Sequence, residues 1–364
     1  MMYVPMLKTK TEELRVVKEL QFCFSNNIIP LFEIINEMYQ TKYKKDSNGA
    51  FIYEQHKTRK SKVKAEPTED DIITLKKIYD LVDGKLMFID YFRFSLKKYG
   101  KKVSVKNAEL SFNLNNSLEL YKKKILETTK YSNMIPVVSL KPECGFPKAE
   151  LKAFVSCLQK NSPHVALRIT EEWIDDTKEV VQRLRETDFL LFDVEEQNPE
   201  LKFMEIQELL DLQPRCKIIL LNSPRKQDVK NGEYPEHDKT DLINNCARFV
   251  AKDYELDGYG DYCGLKDVMP TNDGSNGMGA ALALLYDYKE NVFYSYCKHD
   301  TSLGTAGYTL LIPLIKADEL ILNPAGDCPA YKTIHSMPGH GSWRTWHHIN
   351  AKRYIYQTYK NLNL

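Results

Sequence analysis

Seven short apolar runs in this chain each end on a side chain that carries a charge or an amide: Glu33, Asp90, Lys141, Arg168, Asp193, Asn222 and Asp253. If the runs lie side by side in one direction, those ends meet at one rim. Carboxylates outnumber cations there. Glu33, Asp193 and Asp253 together offer the all-oxygen ligation that suits a divalent metal such as Mg²⁺, which is the cofactor expectation. Lys141 and Arg168 would hold an anionic group, since guanidinium presents a fork that matches phosphate or carboxylate oxygens. Asp90, Asn222 and Asp253 would line the same ligand-binding mouth. In this pattern Glu33 and Asp193 are candidate catalytic carboxylates for a metal-assisted phosphodiester reaction. A ring of structural ion pairs is the competing reading, because buried charges must be paired.

Two later segments also carry chemistry. His299-Asp300 sets an imidazole beside a carboxylate, as an oriented base requires. Neighbours on a strand point to opposite faces, however, so adjacency alone does not pair them. Further on, His340-Gly341-Ser342-Trp343 opens a helical pattern whose free amides suit an anion. Trp343, Trp346, Tyr354 and Tyr359 recur there among Arg344, Lys352, Arg353 and Lys360. That mixture serves single-strand nucleic-acid binders, and it equally suits a helix docked by its aromatic face.

The elements that must position these residues follow from periodicity. Runs such as Phe189-Leu190-Leu191-Phe192-Asp193 and Ile218-Ile219-Leu220-Leu221-Asn222 are apolar throughout, which fits strands buried on both faces of a parallel sheet. Helical patterns alternate with them, at 11–24, 69–82, 150–158, 172–185 and 204–212. Strand–helix alternation at βα-unit spacing predicts an α/β fold. With Arg248–Asp253 as a seventh strand and Ala281–Tyr288 as a further one, a TIM-like (β/α)8 barrel is the expected architecture. A doubly wound open sheet is the alternative. Ala281–Tyr288 and Val292–Lys298, joined by Lys289-Glu290-Asn291, also read as a C-terminal hairpin. A closing helix is expected from Ser342 to about Asn361.

The expected organisation is one barrel domain over 1–364, with a basic insertion at about 41–66 and a C-terminal elaboration from about 254 to 364. The insertion reads as a solvated loop or as a phosphate-contacting one. Fifty-one Lys and Arg against fifty Asp and Glu leave a net charge of +1, so nothing pulls the whole chain toward nucleic acid or an anionic membrane. The eight cysteines show no C-x-x-C spacing, which argues against zinc-ribbon and thioredoxin readings. Neither a secretory leader nor a run long enough to span a bilayer is visible, so cytoplasmic residence without membrane contact is the expectation. P-loop, nucleophile-elbow, HExxH and dinucleotide-binding signatures are missing.

The opening Met2-Tyr3-Val4-Pro5-Met6-Leu7-Lys8-Thr9-Lys10 with Glu13-Leu14 resembles the start of the beta family proteins of phages, prophages and bacteria, as does Ile29-Pro30-Leu31-Phe32-Glu33-Ile34. Asp257-Gly258-Tyr259-Gly260-Asp261-Tyr262-Cys263-Gly264, His299-Asp300-Thr301-Ser302-Leu303-Gly304 and Gly341-Ser342-Trp343 with Trp346 are similar too. The insertion at 41–66 departs from that pattern. The resemblance implies a phage–host conflict setting, antiviral or phage-encoded, with a protein partner, a nucleic acid or a nucleotide as the molecule recognised. It adds weight to Lys8, Glu33, Asp261, His299 and Asp300 as site residues, and it raises the prospect that Tyr3–Leu7 is the first barrel strand.

Overall fold

Eight parallel strands close into a barrel in the computed structural model, which describes residues 1–56, 58–100, 102–272 and 279–362. They are β1 (Met2–Lys8), β2 (Leu31–Ile34), β3 (Met87–Tyr91), β4 (Met134–Leu140), β5 (Ala166–Ile169), β6 (Phe189–Asp193), β7 (Lys217–Leu221) and β8 (Gly258–Asp261). Each pairs with its sequence neighbour, and β1 closes the ring by pairing with both β2 and β8. This is the TIM-like (β/α)8 architecture that the alternating pattern predicts. Lys57 of the basic stretch and part of the turn-rich segment at 271–277 lie outside the described residues.

The apolar runs become strands because both their faces are covered. One face fills the barrel and the other meets the surrounding helices, so β1 to β6 are buried at every residue. Helices Thr11–Glu19, Thr74–Leu81, Leu118–Thr128, Lys148–Asn161, Ile174–Val181, Phe203–Asp211 and Ala247–Asp253 follow β1 to β7 in turn. The final helix, Trp343–Leu362, packs against the first and takes the eighth place.

Three sequence expectations are corrected here. Arg248–Asp253 is not a strand but most of the helix Ala247–Asp253, whose apolar Val250 and Ala251 are buried while Phe249 stays exposed. Its end, Asp253, therefore lies beside the starts of the strands, at the opposite end of the barrel from Glu33. The eighth strand is Gly258–Asp261, which an apolar-run search passes over because glycine stands at alternate positions. A Cβ on Gly258 would lie 2.5 Å from the Met2 carbonyl oxygen, and one on Gly260 would lie 2.5 Å from that of Val4. Finally, Ala281–Asp287 forms the expected hairpin with Val292–Lys298 but belongs to a separate antiparallel sheet with His237–Thr240. The basic insertion follows β2, since β1 is the strand that carries Lys8.

Candidate functional site

Side chains alternate across a strand, so residues two apart share the barrel interior. The inward set begins apolar, with residues such as Met6, Phe88, Val137, Phe189 and Leu221. At the carboxyl ends of the strands it turns ionic. Lys8, Glu33 and Asp90 are in register on β1, β2 and β3, as are Ser139 and Arg168 on β4 and β5.

Arg168 organises this layer by reaching across the barrel. Its Nε and Nη2 donate to Asp193 Oδ2 at 2.9 and 2.7 Å. Its Nη1 donates to Glu33 Oε1 and Asp90 Oδ2, both at 2.7 Å. Lys8 Nζ lies 2.6 Å from Glu33 Oε2 and 2.5 Å from Asp267 Oδ1. Tyr262 donates to Glu33 at 2.8 Å, and Ser139 donates to Asp90 at 2.8 Å. Above them, Lys98 bridges Glu195 and Asp267 at 2.8 Å each, and Tyr99 also donates to Asp267. Lys98 is held by the short helix Leu96–Tyr99. Ser95 caps it at one end, and Gly100, at φ +74°, terminates it at the other.

Burial of so many charges sets their proton affinities. Desolvation alone would raise the Glu33 carboxyl, but Lys8, Arg168 and Lys141 hold it down at about 2. Asp267 is likewise held well below its ordinary range, against its burial, by Lys8 and Lys98. Lys8 and Lys98 are both raised because their carboxylate partners outweigh desolvation.

Lys141 differs from the other cations. It is 6% exposed, and its Nζ has no hydrogen-bonded acceptor among the described residues. The nearest carboxylate oxygen is Asp90 Oδ2 at 3.9 Å, and the Phe92 ring centroid lies 3.8 Å away. Burial and the neighbouring Arg168 lower its proton affinity. Lys141 borders a cavity of about 90 Å³ together with Phe94, Lys98, Asp193, Glu195 and Asp267. That volume is far below the roughly 300 Å³ at which drug-sized pockets begin, so it admits a head group rather than a whole nucleotide. Asp90 Oδ1 is buried without a hydrogen-bond partner among the described residues.

The structure thus brings together Glu33, Asp90, Lys141, Arg168 and Asp193, with Lys8. It does not bring the rest of the expected set to the mouth. Asn222 is buried beyond β7, with its Nδ2 3.4 Å from the Asn244 carbonyl and its Oδ1 unpartnered among the described residues. Asp261 points out of the barrel, since inward Gly260 precedes it, and it accepts hydrogen bonds from Tyr3 and Tyr354 at 3.0 and 2.6 Å. His299 and Asp300 are exposed beyond the antiparallel sheet. The first bonds the Tyr234 carbonyl, and the second caps the turn at Ser302. Trp343 packs edge-on against Tyr308, and the neighbouring Trp346 and Tyr354 are fully buried, so the aromatic face of the final helix is a docking face.

The metal set Glu33, Asp193 and Asp253 does not assemble. Asp253 is at the other end of the barrel, and the Arg168 guanidinium stands between the remaining two. Among the described residues no group of three or more His, Cys, Asp or Glu is placed to hold a metal ion.

The contributors missed from sequence include Lys98, Tyr99, Tyr262 and Asp267. Tyr262 had a signal, since it follows Gly260 by two and so shares its inward face. Lys98 and Tyr99 sit on a one-turn helix too short to show a period, and Asp267 sits on a loop.

Fold and site together define a TIM-like barrel with an ion-paired mouth at the carboxyl ends of its strands. The chain belongs to the Beta protein family, whose family model matches residues 3–359. No curated protein gives a significant match. Among the described residues no helix is long and apolar enough to cross a membrane.

Proposed function

We propose that the protein is a recognition barrel which takes the anionic head of a ligand or partner into its mouth, on Lys141. One observation carries this reading: Lys141 is buried in the mouth, lacks a hydrogen-bonded acceptor among the described residues, and lines the cavity. Lys8, Lys98 and Arg168 are each matched to carboxylates, so they build the site rather than remain available to a ligand. A carboxylate or phosphate oxygen in the cavity would give Lys141 the charge-assisted hydrogen bond it lacks. The setting we propose is phage–host conflict, as the family resemblance implies, with the head group belonging to a protein partner or a nucleotide.

The alternative, a metal-dependent phosphodiesterase, finds less support. Both oxygens of Glu33 and the Oδ2 of Asp193 are already engaged by Lys8, Arg168 and Tyr262.

Thermal unfolding in the presence of inorganic phosphate and of short carboxylates tests the site. The wild type should gain stability saturably with at least one of them, and Lys141→Met should lose that response while remaining folded. A variant that responds as the wild type does, or a wild type indifferent to every anion, overturns the proposal. For the setting, Lys141→Met in a host carrying the gene should change phage plating efficiency. Unchanged plating across a phage panel would remove that part of the reading.

A further inference from the structure

The connection between β2 and its helix leaves the barrel at the mouth end and folds into a small β ribbon over residues 42–56 and 58–65. Tyr53–Gln55 pairs with Lys60–Lys62, and bridges join Lys45 to Phe51 and Tyr43 to Lys64. Lys and Arg occupy 42, 44, 45, 57, 59, 60, 62 and 64, against Asp46 and Glu54. In a chain of net charge +1 this is a concentrated cationic patch.

Its side chains are sorted by face. Phe51 and Tyr53 are two apart on one strand, Lys60 and Lys62 are two apart on the next, and Tyr53 is opposite Lys62 in register. Ring contacts join the first strand to them. Tyr43 meets Phe51 edge-on at 6.2 Å, and Lys62 Nζ lies 3.7 Å from the Phe51 centroid and 5.6 Å from that of Tyr43. Lys45 lies over Phe51, and Lys60 over Tyr53. Tyr43, Phe51 and Tyr53 are 39–46% exposed. The two carboxylates are kept away. Asp46 closes its own turn by accepting from the Asn48 and Ala50 amides, and Glu54 is on the opposite face from Tyr53.

We propose that this face binds single-stranded nucleic acid, its bases stacking on Tyr43, Phe51 and Tyr53 and its phosphates meeting Lys45, Lys60 and Lys62. Exposed aromatics braced among lysines suit an unpaired strand, whose bases present flat π-faces while its backbone tracks the cations. A duplex hides those faces. An acidic polypeptide would meet the lysines but leave the rings unused. The surface is separate from the Lys141 cavity, so it stands or falls independently of that site.

Fluorescence anisotropy of a labelled oligodeoxythymidine with the full chain tests this. Phe51→Ala and Tyr53→Ala should each weaken binding about tenfold with the salt dependence unchanged, as expected for a lost stacking platform. The triple variant Lys45→Gln, Lys60→Gln, Lys62→Gln should reduce the slope of log affinity against log salt by about 2, at roughly 0.7 per single-strand phosphate. A duplex of equal length and polyglutamate should both compete poorly. The proposal is overturned if the oligonucleotide does not bind at low salt. It is also overturned if duplex or polyglutamate competes as well as the single strand, or if the aromatic variants bind like the wild type with unaltered circular dichroism.

Discussion

Arg168 has five N–H donors, and each finds an acceptor: two oxygen contacts to Asp193, one each to Glu33 and Asp90, and the Met6 sulfur at 3.9 Å. Replacing it by Met would leave three carboxylates buried together without their shared cation. Arg168→Met should therefore destabilise the protein by several kcal/mol, in the roughly 3–5 kcal/mol range for a broken buried pair, measured by urea unfolding. Two buried carboxylates, Glu33 and Asp261, should respond to acid in opposite senses. Glu33 is depressed to about 2 from an ordinary 4.5, so its contribution is complete above pH 4.5 and is lost as pH falls toward 2. Asp261 is raised to about 6 from an ordinary 3.8 by burial, against the hydrogen bonds it accepts. Its ionisation therefore costs stability as pH rises from 3.8 to 6. Asp261→Asn should be more stable than the wild type at pH 7 by on the order of 2–3 kcal/mol, and the advantage should vanish near pH 4. A Tm difference that is constant across that window would refute the assignment. Glu33, Asp90, Arg168 and Asp193 were legible in the sequence for a physical reason. A charged residue that ends a run buried on both faces has only the strand's end to occupy, and period-two alternation then aims it inward. Lys98 and Asp267 join the same network, but one sits on a one-turn helix and the other on a loop, where no period connects them to it.

At the scale of elements, apolar content located six strands and misjudged two segments. Val250 and Ala251 with Phe249 look like a strand core, yet they form one buried and one exposed side of a short helix. Gly258-Tyr259-Gly260-Asp261 looks like a turn, yet it is the strand that closes the ring. The reason is space: β8 approaches β1 and β7 so closely that an inward Cβ at 260 would lie 2.5 Å from the Val4 carbonyl and 2.6 Å from Leu221 Cδ2. The carbonyl belongs to the paired strand and cannot retreat without loosening the β1–β8 ladder. Gly260→Ala should therefore cost at least the ~1–3 kcal/mol typical of overpacking, while alanine at Gly49, with open space around its Cβ position, should pay only for its positive φ. Chemical denaturation of the two variants side by side separates crowding from backbone preference.

The whole molecule raises the question of whether barrel and C-terminal layer are one cooperative body. One buried contact ties them, and two more bind the final helix to the rest of the C-terminal layer. Tyr354 of the final helix donates to Asp261 of β8, which also accepts from Tyr3 of β1. The Tyr354 ring stacks on Tyr286 of the antiparallel sheet at 4.1 Å. Arg353, fully buried, donates to the carbonyls of Tyr286 and Leu322. Losing the final helix would strip the cover from β1 and β8, the two strands that close the barrel, so neither part should survive the other's unfolding. The three tryptophans make this measurable. Trp173 lies beside β5 in the barrel, whereas Trp343 and Trp346 begin the final helix. In urea, a protein carrying Trp173 alone and one carrying Trp343 and Trp346 alone should unfold at the same midpoint with the same slope, matching circular dichroism. Two separated midpoints would mean that the antiparallel sheet and the final helix fold as a unit apart from the barrel. The buried Tyr3–Asp261–Tyr354 contact would then have to break before the barrel does.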